Sequence, residues 1–343
     1  NKIKYLISFL FPFRGLISLL KSNLFNKINI VLRQENIIRS FQNNVLNHIQ
    51  PIIILGAARS GTHLLASSIE KNIPCTYLNE MNDLWKKQFP FLLSDEIRKD
   101  QITEKKVLKT RNEFNTVLKN KKYNKYLLEK TASNCLRLEL VHKVFPNARF
   151  IHIKRDGKAI AVSVRKKYFG DIRKLSSINY DGNDNITRRI STVFTELRHK
   201  FSNRLTILMF ISNIFRYMRM SLVILGIKRK DFWGPRFLGY RKVMKTVSPL
   251  ELAVIQWKYC YQKLNTFFFK MNAKKYLSIT YEDIISNPSI ELRKVLQFIT
   301  EDSFKGSVSH NIESTGLLRW DNNLSKKEVE FLNKEVDNEK IIL

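Results

Sequence analysis

PIIILGAARSGTHLL, Pro51 to Leu65, is the stretch whose reading decides the fold. An apolar run stops at Gly56, Gly61 follows five residues later, and a helical pattern begins. A short apolar run bounded by Pro and Gly predicts a buried strand, and Ser60–Glu70 predicts a helix. Between them the G-x4-G frame allows a tight turn whose backbone N–H groups, with the helix N-terminus, point at an anion. A Walker loop would continue with Lys, which reaches the β/γ-phosphates. Here Thr62 takes that position and the cation lies inside the loop, at Arg59. This disfavours an ATP·Mg²⁺ enzyme without excluding one, and a plain strand–turn–helix connection is the bland alternative.

Outward from that loop the pattern repeats. Cys75–Leu78, Tyr126–Leu128, Arg149–Lys154 and Tyr276–Tyr281 predict strands. Helices are expected over much of 83–120 and over Ser133–Phe145, from Gly157 to Val164, and over Ser248–Phe269 and Ile290–Ile299. Ser248 with Pro249 just inside reads as a helix start, and a polar helix is expected from Ser325. Strand and helix alternating imply βαβ units, so the expected fold class is α/β: a P-loop-type parallel sheet flanked by helices, with an inserted helical segment. Residues 1–50 read as a basic helical extension, 51–343 as the main domain, and about 171–247 as a helical insertion. Within that insertion, 171–184 is turn-rich and Ile186–Ile227 long and helical.

The chain has 343 residues, with 60 Lys+Arg against 30 Asp+Glu, a net charge of +30 that favours an anionic partner. A lysine-rich, solvated surface is the competing explanation. At 44% apolar residues the composition is not that of a disordered chain. Cys75, Cys135 and Cys260 are widely spaced and form no metal or redox motif, which fits a reducing compartment. Residues 1–50 hold seven basic residues and one acidic, and Asn185–Lys245 fourteen and two. Neither is apolar for long enough to span a bilayer, so a cytoplasmic location is expected, with peripheral contact at the inner membrane face through these segments as its variant.

With GAARSGTHLL, the chain resembles the 5′-phosphosulfate loop of sulfotransferases that use 3′-phosphoadenosine 5′-phosphosulfate (PAPS). The likeness is to the bacterial and tyrosylprotein-sulfotransferase-like branch, which carries Arg in this loop. A second motif belongs to that resemblance. FPNARFIHIKRDG, Phe145 to Gly157, is similar to the family's 3′-phosphate motif, and Ser163 follows Arg155 at the family's spacing of eight. The chemistry agrees, because Arg grips phosphate through paired N–H bonds and a helical Ser adds a neutral donor. Asp156 reads as a loop-organising acceptor and His152 as a packed core histidine.

The resemblance implies the remaining site. The family's catalytic Glu lies twenty-one residues after the loop Arg, which is Glu80 here; His63 is the rival base. LLEKTASN, Leu127 to Asn134, resembles the family's EKTPxN segment and places a catalytic Lys at Lys130. Asn134 is expected to orient the loop. The expected catalytic set is Glu80, Lys130 and Arg59. The expected cofactor set is Ala58, Arg59, Ser60, Gly61, Thr62, His63, Arg155, Ser163 and Arg319, with Trp320 beside the last and no metal. One serine among Ser303, Ser307 and Ser309 is expected at the transferring group. Tyr281, Glu282 and Asp283 read as structural, Trp257 as core, and Arg236 as either an acceptor-side cation or part of a turn. The implied activity is sulfuryl transfer from PAPS to a hydroxyl or amine. The acceptor stays open: a glycan, a lipid-linked sugar or a small hydroxylated molecule, with no nucleic acid expected. The alternatives are a P-loop nucleotide kinase, which would need ATP·Mg²⁺, and a non-catalytic polyanion- or membrane-binding protein.

Overall fold

A computed structural model of the chain describes residues 45–121, 123–169, 232–312 and 324–337. Of the expected 1–50 extension and 171–247 insertion, residues 1–44 and 171–231 lie outside them, as do Arg319 and Trp320.

In chain order the regular elements begin with β1 Gln50–Leu55, α1 Thr62–Asn72, β2 Cys75–Asn79, α2 Asn82–Lys86, α3 Glu104–Lys119 and β3 Tyr126–Lys130. They continue with α4 Leu138–Val144, β4 Arg149–Lys154, α5 Gly157–Phe169, α6 Tyr240–Thr246 and α7 Pro249–Phe269. The last are β5 Tyr276–Thr280, α8 Tyr281–Ser286, α9 Pro288–Thr300 and α10 Lys326–Leu332. The five strands pair in the order β2-β3-β1-β4-β5, and every pair is parallel. Ile52, Ile53, Ile54 and Leu55 are buried, as expected of a central strand covered on both faces. Because all strands run the same way, their carboxyl ends share one edge, where ligands bind in open α/β sheets.

Local chemistry sets the elements. Ser248 and Glu251 form a reciprocal capping box at the start of α7, with Pro249 in its first turn. Gly157 opens α5 where the Trp257 ring closes on it: an added Cβ would come within 2.4 Å of the ring. Trp257 is therefore core, as its helical position suggested.

One expectation needs correction and another is met with an interruption. Residues 83–120 are helical over a little more than half their length, in α2 and α3. The chain runs irregularly from Lys87 to Arg98, through a one-turn 3₁₀ segment at Lys99–Gln101, before α3. Ser133–Phe145 is not one helix: a 3₁₀ turn, Ala132–Leu136, breaks at Arg137 before α4 starts. The causes are tertiary. Lys86 pairs with Asp95 at 3.5 Å, buried Arg137 donates to the Asn82 side chain beside Asp95, and Glu96 is held by Lys263 and Tyr259; those contacts outweigh helical propensity. Of the expected 171–247 insertion, the described part is irregular up to Gly239 and then forms α6. Among the described residues no helix is long and apolar enough to cross a membrane.

Candidate active site

Four chain segments meet at the carboxyl edge of the sheet. The Gly56–Gly61 turn leaves β1, Glu80 follows β2, Lys130 ends β3, and Arg155 follows β4.

The first turn is tightly built. A Cβ at Gly56 would sit 2.4 Å from Ser60 Oγ and 2.8 Å from the Ile153 carbonyl oxygen. Gly61 has φ 98°, and a Cβ there would meet the Tyr281 ring at 2.5 Å. Arg59 lies in the left-handed region at φ 72°, a conformation costing a non-glycine residue about 1–3 kcal/mol. Ala58, Ser60 and Thr62 are buried.

The second loop closes onto the first. Arg155 Nη1 donates to the Arg59 carbonyl at 2.9 Å, and Arg59 Nε donates to Ser163 Oγ at 2.9 Å. The two motifs, ninety-six residues apart in sequence at Arg59 and Arg155, therefore form one cradle. Burial lowers the Arg59 pKa, and the neighbouring Arg155 lowers it further. An anion between the two guanidinium groups would offset that repulsion. Ser60 Oγ and Arg155 Nε are buried without a hydrogen-bond partner, and a phosphate or sulfate oxygen would supply one. The residues present thus fit an anionic, phosphate-bearing ligand.

Tyr281 is a site residue that sequence reading took as purely structural. The Arg155 guanidinium lies over its ring, 4.1 Å from the centroid, and the same ring fills the space that Gly61 leaves. Glu282 accepts from the Asp156 N–H at 3.1 Å, and Asp156 Oδ1 accepts from the Lys158 N–H at 2.9 Å, so Asp156 organises the loop as expected. His152 is buried and stacked on Phe268 at 4.5 Å. Burial, with Lys154 nearby, pushes its pKa down to about 3, which suits packing rather than proton transfer.

Glu80 and Lys130 form an ion pair. Their backbones are joined as well, since the Glu80 N–H donates to the Lys130 carbonyl at 2.8 Å. Glu80 has φ 50°, a second strained residue of the site. The Ala132 N–H lies 3.4 Å from each Glu80 carboxylate oxygen. His63 is exposed in the first turn of α1, its Nδ1 3.5 Å from the Tyr77 hydroxyl.

Beneath this pair lies Glu129, which sequence reading missed. It is fully buried and accepts hydrogen bonds from Trp85 Nε1 at 2.9 Å, Thr131 Oγ1 at 2.6 Å and Asn134 Nδ2 at 2.8 Å. Thr131 Oγ1 in turn accepts from the Met81 N–H at 2.9 Å, so Glu129 braces the bend that carries Glu80. Asn134 does help orient this loop, through Glu129. Burial pushes the Glu129 carboxyl up to about 7, against the pull of the Thr131 and Trp85 hydrogen bonds. From about pH 4.5 up to about 7 the unfolded chain releases a proton that the folded carboxyl keeps. Stability from this group is therefore full at low pH and is lost as pH rises through about 7. Denaturant unfolding at a series of pH values should show the wild type losing about 3 kcal/mol relative to Glu129→Gln across that window. Parallel pH profiles for the two proteins would contradict this.

Two serines offered for the transferring group lie elsewhere. The Ser309 N–H and carbonyl bond the Asn72 side chain. Asn72 ends α1, about 15 Å along the helix from the anion-binding turn. Ser303 Oγ donates to the Thr300 carbonyl at the end of α9. Arg236 is tied into the fold by its backbone: its N–H donates to Asp95 Oδ2 at 3.0 Å and its carbonyl accepts from the Asp95 N–H at 2.7 Å.

Fold and site together define an α/β protein with a tight glycine-framed turn and a Glu–Lys pair at one sheet edge. Residues 51–210 match the model of the sulfotransferase family. Over that span the chain is similar to the sulfotransferase family. No curated protein sequence matches it. Among solved structures it is similar to the sulfotransferase domain from the curacin biosynthetic pathway, at 12% identity and TM-score 0.40, covering 84% of this chain and 98% of that one. A sulfotransferase from Alicyclobacillus acidocaldarius matches at 10% identity and TM-score 0.39, covering 84% and 93%. A mouse sulfotransferase complexed with PAP matches at 13% and 0.36, covering 84% and 85%.

Proposed function

We propose that this chain moves a sulfuryl group from PAPS to a hydroxyl or amine of an acceptor. The observation that carries this reading is the closure of the Arg155 loop onto the Arg59 turn, which supports binding of one ligand with anionic groups at both ends. PAPS, when bound, supplies the activated sulfuryl group. Arg59, Thr62 and the N-terminal amides of α1 hold the phosphosulfate end, with Ala58, Ser60, Gly61 and His63 shaping the turn. Arg155 and Ser163 hold the 3′-phosphate, and Tyr281 fixes the plane of the Arg155 guanidinium. Arg319 is proposed as a further 3′-phosphate ligand.

Lys130 neutralises charge that develops on the leaving phosphate, and Glu80 takes the acceptor's proton. The Glu80–Lys130 ion pair supports this reading, since it keeps a carboxylate and a cation near enough to serve the two ends of an in-line transfer, Glu80 at the attacking oxygen and Lys130 at the leaving one. We propose a glycan, a lipid-linked sugar or a small hydroxylated molecule as acceptor. Transfer of radiolabelled sulfate from PAPS onto extract components should be seen with wild type and lost with Glu80→Ala, while nucleotide affinity is kept. A fully active Glu80→Ala protein would return the base role to His63 or another group.

A further inference from the structure

Phe91, Leu93 and Leu238 are large apolar side chains that stand 74%, 57% and 53% exposed. They lie on two segments joined by the Asp95–Arg236 backbone hydrogen bond, and Leu93 and Leu238 each sit two residues from it. Buried polar groups hold these side chains outward. The Lys86 ammonium donates to the carbonyls of Leu92 at 2.7 Å and Ser94 at 2.8 Å, which fixes the 91–94 loop from inside. The Leu238 N–H donates to Glu96 Oε2 at 3.2 Å, and Gln256 Nε2 holds the carbonyls of Trp233 and Pro235. A loop secured this way keeps its apolar side chains in water, although collapse onto the core would be favoured. The surroundings are basic. Residues 84–94 and 232–250 contain no Asp or Glu, and Arg241, Lys242 and Lys245 are exposed on α6, directly after Leu238.

We propose that this preset apolar tip with its basic flank docks on an anionic lipid bilayer, the three side chains entering the interface and the α6 cations meeting lipid headgroups. None of the three belongs to the proposed nucleotide cradle, so vesicle binding and nucleotide binding are read separately.

The test is co-sedimentation of the full chain with vesicles of roughly 7:3 phosphatidylcholine to phosphatidylglycerol, alongside vesicles of phosphatidylcholine alone. The wild type should bind the anionic vesicles and lose affinity about tenfold as salt is raised from low to several times physiological strength. The triple variant F91S/L93S/L238S should bind at least about thirtyfold more weakly while still unfolding cooperatively at a melting temperature lowered by only about a few degrees, because the replaced side chains are more than half in water. An environment-sensitive fluorophore at F91C, in a C75A background, should shift to the blue on anionic vesicles. The proposal is overturned by wild-type indifference to the anionic vesicles, by a triple variant that binds as well as wild type, or by a label at residue 91 that stays in water while the protein is bound.

Discussion

Lys130→Met is expected to lower sulfate transfer about a thousandfold while 3′,5′-ADP affinity stays within about threefold. The asymmetry follows from where the lysine sits. Its side chain is 9% exposed, whereas that of its partner Glu80 is 47% exposed. Methionine can fill the lysine's channel with a stem of similar length, so the fold should survive. Loss of the ion pair itself should cost little, since one partner is half in water. What disappears is a positive charge held at the end of β3 by the strand and by its backbone bond with Glu80. Labelled-sulfate transfer and nucleotide titration on the same preparation separate the two effects. A variant with a tenth or more of wild-type activity would remove Lys130 from the chemistry.

The largest loss of stability is expected from Trp85→Ala, about 4–5 kcal/mol in denaturant unfolding. Trp85 is fully buried on α2 and packs edge-on against Phe114 at 4.8 Å and Phe145 at 5.9 Å. Alanine leaves a cavity there, and it also takes from Glu129 one of its three side-chain donors. The damage should therefore reach the bend that carries Glu80. Trp85→Phe keeps most of the packing and drops the indole N–H, so it should cost about 1–3 kcal/mol. A loss under about 1 kcal/mol for Trp85→Ala would show that this aromatic cluster is not a structural support of the site.

The elements that carry the nucleotide motifs were legible because local signals dominate them. The apolar run before Gly56, the alternation of Arg149–Lys154 and the Ser248–Pro249 helix start each specify their element without distant help. The spacing of Arg59, Glu80 and Arg155 around strand ends was enough to expect them at one edge, and the all-parallel sheet puts them there. What stayed hidden depends on partners remote in sequence. Glu129 reads as one acid beside a lysine, and only burial beneath Trp85 makes it a brace. Its one local signal is strand alternation, which turns it to the face opposite Lys130. Tyr281 lies more than a hundred residues beyond the loop arginine it supports, and Arg137 breaks a predicted helix because its side chain is drawn into a buried acidic cluster.

The central claim is that the Arg59 and Arg155 turns grip one doubly phosphorylated adenosine. Calorimetry of 3′,5′-ADP against ATP·Mg²⁺, on wild type and Arg155→Ala, tests it most directly. The account predicts binding of 3′,5′-ADP without added metal, weaker binding of ATP·Mg²⁺, and a loss of about a hundredfold in 3′,5′-ADP affinity in the variant. No binding of 3′,5′-ADP, tighter binding of ATP·Mg²⁺, or an Arg155→Ala protein that binds 3′,5′-ADP as wild type does would contradict it.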